Sequence, residues 1–148
     1  MKSNIRQIEE KDRQQILEMM RVFYASEAVF SNGSEEIFNT DITNCISENP
    51  YIEGYVFENG DSIQGYAMLA KSFSTEFGKP CVWIEDIYMK DEYRGLGIGS
   101  LFFRFIEETY PHSLFRLEVE AENDRAIHVY KKCGYDFLPY MEMMKSIP

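Results

Sequence analysis

The stretch "DEYRGLGIGSLFFRFIEE", residues 91–108, places three glycines on alternate positions, directly behind an arginine. The preceding run "CVWIEDIYM", residues 81–89, is almost wholly apolar and is typical of a buried strand. Apolar residues after the glycines recur at helical spacing, so the glycines are predicted to lie in a turn between a strand and a helix. The buried stripe expected for that helix comprises Ile98, Leu101, Phe102, Phe105 and Ile106.

Glycines at the start of a helix indicate an anion site. Without a Cβ, Gly95, Gly97 and Gly99 let backbone N–H groups approach a ligand closely. The helix start adds unpaired N–H donors and the positive end of the helix dipole, and Arg94 adds a fixed positive charge. The alternative is a tight turn whose glycines serve only packing, which the entropic cost of three glycines in five positions disfavours.

Two other phosphate-binding motifs agree less well with this spacing. A P-loop requires Gly-Lys-Ser/Thr, and the lysine is absent. A dinucleotide fingerprint requires G-x-G-x-x-G, and here the third glycine comes one residue early. Glu118 lies at a suitable distance downstream to bind a ribose, so a small NAD-binding domain is kept as a disfavoured alternative.

The remaining patterns predict one α/β domain over residues 1–148, with a mixed central sheet and helices on both faces. The predicted order is β-α-α-β-β-β-α-β-α-β. Besides the strand and helix around the glycines, the elements are a strand at 4–8, helices at 11–24 and 34–49, a hairpin over 51–73 that turns at Asn59-Gly60, an alternating strand at 114–120, a helix capped by Asn123 and stopped by Gly134, and a terminal strand at 140–145.

Composition narrows the classes of partner. The 148 residues include 25 acidic and 15 basic side chains, for a formal net charge of -10. This balance repels phosphate backbones and anionic lipid surfaces, so neither nucleic acid nor a membrane is an expected partner. No segment approaches the roughly 18 apolar residues that a membrane span needs. The charge suits a cationic small molecule.

Cysteine and histidine usage predicts a location and excludes a metal. Cys45, Cys81 and Cys133 are odd in number, widely spaced and never in a CxxC pair, which is typical of a reducing cytoplasm. His112 and His128 are the only histidines, too few and too separated to form a zinc site. A cytoplasmic protein without a metal is therefore expected.

Two motifs carry a resemblance to a known family. "YRGLGIGS", residues 93–100, fits the R/Q-x-x-G-x-G/A acetyl-CoA signature of the Gcn5-related N-acetyltransferase (GNAT) superfamily. "NDRAIHVYKKCGY", residues 123–135, resembles the second landmark of that superfamily, and the order of elements matches across nearly the whole chain. The resemblance implies the GNAT fold and an enzyme, an acetyl-CoA-dependent N-acetyltransferase that acts on a primary amine by direct attack in a ternary complex.

The sequence restricts the chemical class of the acceptor amine less than it restricts the acetyl donor. "WIEDIYMKDEYRGLGIGS", residues 83–100, is locally similar to the diamine (spermidine/spermine) acetyltransferases, which implies a polyamine or another cationic small molecule. Aminoglycoside-like amines, amino acids and protein amines stay open. A non-catalytic CoA-binding or protein-interaction module of the same fold is the alternative of a different class. Dimerisation is common in the family, so a homodimer is compatible with the resemblance.

The resemblance also implies a cofactor site. The pantetheine arm would pair with the end of the strand like an added β-strand, the pyrophosphate would lie on the amides of the glycine turn, and an asparagine would hydrogen-bond the cofactor. The implied cofactor residues are Ile87, Tyr88, Met89, Arg94, Gly95, Leu96, Gly97, Ile98, Gly99, Ser100 and Asn123.

Glu85 is the predicted general base. An amine with a pKa of ~10.4 costs about 4–5 kcal/mol to deliver neutral at pH 7, so a base is useful. Glu85 interrupts an apolar strand, where desolvation raises a carboxyl pKa toward a useful value, and a bridging water is the expected relay. The alternatives are a solvated position or an ion-pair partner. Glu118 and Glu120 are rival bases, and Asp86 is expected on the opposite face in a structural role.

Tyr130 is the predicted general acid. It shares a helical stripe with Ala126, Val129 and Cys133, which fits a core aromatic, while the resemblance places here the group that protonates the coenzyme A thiolate. Cys133 is rejected as a nucleophile, because only His128 could activate it. Carboxylates before the hairpin are expected to wall the acceptor site and attract a cation; they are Glu27, Glu35, Glu36 and Asp41.

Overall fold

The computed structural model describes residues 3–147 and contains a five-stranded sheet in the order β1-β2-β3-β4-β5. Strands β1 to β4 are antiparallel neighbours, and β5 is parallel to β4. The predicted α/β class with a mixed sheet is confirmed. The elements are β1 Asn4–Gln7, α1 Arg13–Tyr24, α2 Glu35–Ile46, β2 Ile52–Asn59, β3 Ser62–Ser74, β4 Lys79–Met89, α3 Ile98–Thr109, β5 Leu114–Leu117 and α4 Asp124–Lys132.

Helices cover both faces of the sheet, as predicted. Helices α1 and α2 bury their apolar stripes against one face, where Ile16, Met20 and Ile42 pack with Val56 and Tyr66. Helix α3 covers the other face, and its buried residues Phe102 and Ile106 pack with side chains of β2, β3 and β4. Burial of these stripes is the main favourable contribution to the fold.

Local signals in the sequence are confirmed at the turns and caps. Gly60 has a φ of +61° in the turn between β2 and β3, which explains the glycine of the predicted hairpin. The Ser34 hydroxyl accepts a hydrogen bond from the Ile37 amide and caps α2. The Asn123 side chain caps α4, and Gly134 follows that helix with a φ of +97°.

Two predictions at the carboxyl-terminal end are wrong. Strand β5 ends at Leu117 rather than at residue 120, and residues 140–145 form no regular strand. No strand in the described part of the chain pairs with this tail, and Met141 and Met143 are almost fully exposed. Alternation of side chains marks a strand only where a sheet edge pairs with it, which explains the error.

The apolar stripe predicted for α4 is only partly buried. Tyr130 and Cys133 pack against the α3 side of the sheet, but Val129 remains 40% exposed. The exposed part of the stripe lines an open cavity instead of the core.

Candidate active site

The parallel strands β4 and β5 part halfway along β4. They pair only from Cys81 with Leu114 to Ile84 with Leu117, whereas β4 continues to Met89. No strand among residues 3–147 lies beside the remaining five residues of β4 on this edge, so their backbone groups are available to a ligand. Ligands of open α/β sheets bind beyond the carboxyl ends of the strands, which is where this opening lies.

A β-bulge lies at the point of separation. Met68 of β3 pairs with Asp86, while its neighbour Leu69 pairs with Ile84, so Glu85 is an extra residue of β4 without a partner across the ladder. A bulge bends its strand and changes which way the following side chains point. Ile84 accordingly packs on the α3 side of the sheet, while Asp86 contacts tyrosines on the α1 side.

A cavity of about 1310 Å³ occupies the opening. It brings together most of the residues that the sequence predicts for the site. Those on its wall are Glu85, Ile87, Tyr88, Met89, Arg94, Gly95, Gly97, Ile98, Gly99, Ser100, Asn123 and Tyr130. Leu96 is the exception, because its side chain is 64% exposed and lies off the wall.

The glycine turn opens directly onto this cavity. Gly95 and Gly97 have φ values of +78° and +81°, which disfavour any residue with a side chain. A Cβ built on Gly95, Gly97 or Gly99 meets no atom within 4 Å, so the space in front of these residues is open. Gly97 precedes α3 and supplies no side-chain cap, in contrast to the caps of α2 and α4. The first N–H groups of α3 are left for a ligand, as an anion cradle requires.

Arg94 fastens the glycine turn to the end of β4. Its Nε donates to the Met89 carbonyl at 3.0 Å, and its guanidinium lies 5.6 Å from the ring centroid of Tyr88. A 2.8 Å ion pair with Asp91 offsets part of its positive charge. Arg94 therefore orients the turn as well as contributing charge at the mouth of the cavity.

Glu85 projects into the cavity and is exposed to it. Desolvation by the surrounding walls is the main cause that raises the pKa of the Glu85 carboxyl. The charges of Glu142 and Asp41 raise this pKa further. Both effects move the carboxyl toward the range in which it can take a proton near neutral pH.

Asp86 is the centre of a buried hydrogen-bond network. The sequence predicted only a structural role for this residue, without its partners. It is 3% exposed, and its carboxylate accepts hydrogen bonds from Tyr66 at 2.7 Å and Tyr24 at 2.9 Å. Burial raises the pKa of Asp86 to about 6, although the two tyrosine hydrogen bonds oppose the shift. Because Tyr24 lies on the cavity wall, Asp86 fixes the position of a ring beside Glu85.

Tyr130 combines a packed ring with a free hydroxyl. Its ring lies 6.0 Å from that of Phe103 and 6.3 Å from that of Tyr135, both edge-on. Burial raises the pKa of the phenol, which keeps it protonated at neutral pH. No described residue forms a hydrogen bond with the hydroxyl, although the side chain reaches the cavity. The core interpretation and the functional one are therefore compatible.

Of the four carboxylates predicted to wall the acceptor site, only some lie near the cavity. Glu27 lines the cavity. Glu35 instead forms an ion pair with Arg21 at 2.6 Å, and Glu36 lies away from the cavity. Asp41 does not line the cavity either, but burial raises its pKa and its charge acts on Glu85.

The tail and the end of β5 supply further carboxylates to the same cavity. Glu142 comes from the exposed tail, and no sequence signal placed it near Glu85, since its segment was predicted to be a strand. Glu118 and Glu120 also line the cavity from the segment after β5, so they remain rival bases.

Two classes of feature are not found in the part of the chain that the structure describes. Within residues 3–147, no group of three or more His, Cys, Asp or Glu side chains is arranged to hold a metal ion. No helix among these residues is long and apolar enough to cross a membrane.

Comparisons with known proteins agree with this fold. A sequence model of the acetyltransferase (GNAT) family matches residues 14–135. The thialysine N-epsilon-acetyltransferase of Sus scrofa is 34% identical over 143 residues, which cover 88% of this chain and 82% of that protein.

Solved structures share the whole architecture at low sequence identity. A possible acetyltransferase from Clostridium difficile 630 superposes with a TM-score of 0.82 at 18% identity, covering 99% of this chain and 98% of that one. AAC(6')-Iy, solved in complex with the bisubstrate analog CoA-S-monomethyl-acetylneamine, superposes with a TM-score of 0.78 at 11% identity over the full length of both chains. At these identities the likeness concerns the fold.

Proposed function

We propose that this chain, which belongs to the acetyltransferase (GNAT) family, transfers the acetyl group of acetyl-CoA to a primary amine of a cationic small molecule, with residues 1–148 acting as one domain. The observation that supports this most is the single cavity shared by the glycine turn, the unpaired end of β4, Glu85 and Tyr130. A donor and an acceptor held in one cavity react without an intermediate carrier, and such positioning can contribute ~7–11 kcal/mol to the rate.

The donor fits the residues of the cavity in three places. The amides of the glycine turn and the first turn of α3 suit the pyrophosphate. The free edge of β4 at Ile87–Met89 suits the amide groups of the pantetheine arm, which would add to the sheet as a strand does. Asn123 uses its Oδ1 to cap α4, so its Nδ2 group is the part left to donate to the cofactor.

The chemistry requires two proton transfers. Acetyl-CoA supplies the acetyl group as a thioester. In the proposed reaction, Glu85 takes a proton from the acceptor amine through a water molecule as the new N–C bond forms. As the C–S bond breaks, Tyr130 donates its phenolic proton to the leaving sulfur. The raised pKa of Glu85 and the protonated state of Tyr130 suit these roles.

The acceptor is proposed to carry at least two positive charges. Glu27, Glu85 and Glu142 all line the cavity, while none of its lysines or arginines faces them in an ion pair among the described residues. An anionic wall attracts and orients a cation. The Sus scrofa relative is named for the ε-amine of thialysine, so a terminal amine on a flexible chain is the first acceptor to test.

An amine panel tests the proposal. The protein is incubated with acetyl-CoA and with thialysine, lysine, a diamine, spermidine, an aminoglycoside, a monoamine and a lysine-bearing peptide, and released thiol and acetylated product are both measured. We expect the multiply charged small amines to show the highest kcat/KM. A protein that binds acetyl-CoA but acetylates none of these amines would be a non-catalytic module, and a preference for the peptide would indicate a protein acceptor.

Location and assembly form two smaller proposals. Three cysteines without a disulfide among them support a reducing, cytoplasmic location, which fractionation of the source cells would test. A homodimer is proposed because dimerisation is common in the family, and sedimentation of the purified protein would test it.

A further inference from the structure

Asp12 and Asp86 are the two buried carboxylates among residues 3–147, and their partners differ in charge. Asp12 is 2% exposed and forms an ion pair with Arg6 at 2.8 Å. Asp86 is 3% exposed, and its hydrogen bonds come from two neutral groups, the hydroxyls of Tyr24 and Tyr66. A buried carboxylate that lacks a cationic partner keeps its proton to a higher pH than a paired one does. The charge of Asp86 is therefore not fixed by the fold alone.

Asp86 lies among acidic and phenolic groups. The titratable groups that act on it from the neighbouring elements are Tyr24 of α1, Asp41 and Cys45 of α2, Tyr66 of β3 and Glu85 of β4. In the described part of the chain, none of Asp86, Asp41 and Glu85 takes part in an ion pair. Burial, together with the charges of Asp41 and Glu85, raises the pKa of Asp86 to about 6 against its two hydrogen bonds. A cation that enters the neighbouring cavity would supply the missing positive charge.

Tyr24 connects this carboxylate to the wall of the cavity. It is the last residue of α1 and lines the cavity, and its ring centroid lies 5.1 Å from that of Phe38 in α2. The segment that follows, residues 25–33, forms neither a helix nor a strand and brings Glu27 to the same wall. The hydrogen bond from the Tyr24 hydroxyl to Asp86 therefore anchors to β4 the helix end from which this wall begins.

We propose that Asp86 is a positioning residue for the acceptor amine, and that it acts through Tyr24. By accepting the Tyr24 hydroxyl it holds the acidic wall in place beside Glu85, and in its ionised form it adds a negative charge that attracts a cationic acceptor. The proposal rests on the acceptor class assigned under the proposed function, and it adds control by pH to that site.

The charge state of Asp86 affects both parts of this role. When the carboxyl loses its proton, its hydrogen bonds become charge-assisted and hold the wall more firmly. The same negative charge favours a bound cation, and the effect is reciprocal, because ionisation and binding are linked. Affinity for a cationic acceptor should therefore rise with pH across the range in which Asp86 loses its proton.

The chain offers matched variants for this test. Tyr24→Phe keeps the ring on the wall and removes its hydrogen bond to Asp86. Tyr66→Phe removes the other hydrogen bond to the same carboxylate from a residue that does not line the cavity. Tyr55→Phe removes a bond of the same kind, 2.9 Å long, to Glu53 on the α3 side of the sheet. Asp86→Asn removes the charge and keeps an oxygen that accepts a hydrogen bond.

The test is binding of the acceptor to the coenzyme A complex, in which no acetyl group is present to be transferred. Calorimetry gives the Kd values of spermidine and thialysine with saturating coenzyme A, for the wild type and the four variants, between about pH 5 and about pH 8. The Kd of coenzyme A is measured alongside.

We expect the acceptor Kd of Asp86→Asn to equal that of the wild type near pH 5 and to exceed it about 3- to 10-fold near pH 8. Tyr24→Phe should weaken the acceptor about 3- to 10-fold near pH 8, whereas Tyr66→Phe and Tyr55→Phe should change its Kd less than about 2-fold. None of the variants should change the Kd of coenzyme A.

Two results would overturn the proposal. One is a ratio of the Asp86→Asn and wild-type Kd values that is the same at every pH, because the charge of Asp86 would then have no effect on the acceptor. The other is a Tyr24→Phe protein that binds the acceptor as tightly as Tyr66→Phe, a comparison that stays decisive if Asp86→Asn fails to fold. In both cases the wild type still binds the amines, whereas a failure of the proposed function leaves the wild type binding neither of them.

Discussion

Alanine substitutions at Gly97 and Gly99 should have different effects on the stability of the protein and on its affinity for coenzyme A. Gly97 has a φ of +81°, where a side chain costs about 1–2 kcal/mol of the free energy of unfolding. Gly99 lies in the first turn of α3 without a positive φ, so alanine there should leave stability unchanged or raise it by up to about 1 kcal/mol. Urea unfolding measures both values.

Binding should fall in the Gly97 variant, because its new Cβ projects into the open space of the cradle. The acetyl-CoA signature allows alanine at the position of Gly99, so Gly99→Ala should bind coenzyme A normally. A hydrogen bond to a charged group contributes about 1.5–3 kcal/mol. At 1.4 kcal/mol per tenfold, displacing one such bond weakens the Kd for coenzyme A about 10- to 100-fold. Calorimetry on the folded variants measures this directly.

Gly78 provides a control in which alanine strains the backbone at a position that does not contact the proposed cofactor site. It has a φ of +64° and open space around its Cβ, but it lies away from the cavity. Gly78→Ala should therefore lose about 1–2 kcal/mol of stability and bind coenzyme A normally. A folded Gly97→Ala protein that binds coenzyme A as tightly as the wild type would refute the cradle.

Four further substitutions test the rest of the site. Glu85→Gln should lower kcat about 10²- to 10⁴-fold at neutral pH and recover as the pH approaches the pKa of the amine; an unaltered pH–rate profile would reassign the base. Tyr130→Phe keeps the ring contacts, so kcat should fall about 10²- to 10⁴-fold without a change in Tm, and an equal loss of both would indicate a core role only. In the folded protein the pKa of Asp86 is raised from 3.8 to about 6, so the native state keeps a proton that the unfolded chain releases. The stability of the wild type therefore falls as the pH rises from about 4 to 6. Relative to the wild type, Asp86→Asn should gain up to about 3 kcal/mol across that window, measured by urea unfolding at each pH, and a constant difference would contradict the shift. Glu142→Gln should raise the KM for polyamines more than the KM for monoamines, and it should make the KM for polyamines less dependent on salt. Glu36→Gln, which lies away from the cavity, should change neither the KM values nor their salt dependence.

The strand–turn–helix unit around the glycines is predictable because its signals are local. Glycines at positive φ, a polar start and an apolar stripe at helical spacing act within a few residues of one another. The same is true of the Asn59-Gly60 hairpin and of the Ser34 and Asn123 caps. Of these elements, the strand–turn–helix unit and the Asn123 cap form the cavity wall that is proposed to bind the cofactor, so most of that wall follows from the sequence.

The part of the cavity proposed for the acceptor depends on contacts between distant segments, which have no local signal in the sequence. The bulge at Glu85 is a shift in register between β3 and β4. Two carboxylates interrupt the apolar run there, but this break does not by itself indicate an extra residue in the strand. Glu142 shares the cavity with Glu85, and it lies in a tail that the sequence predicts to be a strand but that forms none. Asp86 becomes a buried, hydrogen-bonded carboxylate because Tyr24 and Tyr66, far apart in the chain, meet it.

A two-substrate rate matrix tests the central claim most directly. Initial rates are measured with acetyl-CoA and the best amine of the panel both varied, and the mass of the protein is measured after incubation with acetyl-CoA alone. If donor and acceptor meet in the one cavity beside Glu85, reciprocal plots intersect and the protein carries no acetyl group. Parallel lines with an acetylated protein, or the absence of any turnover, would contradict direct transfer.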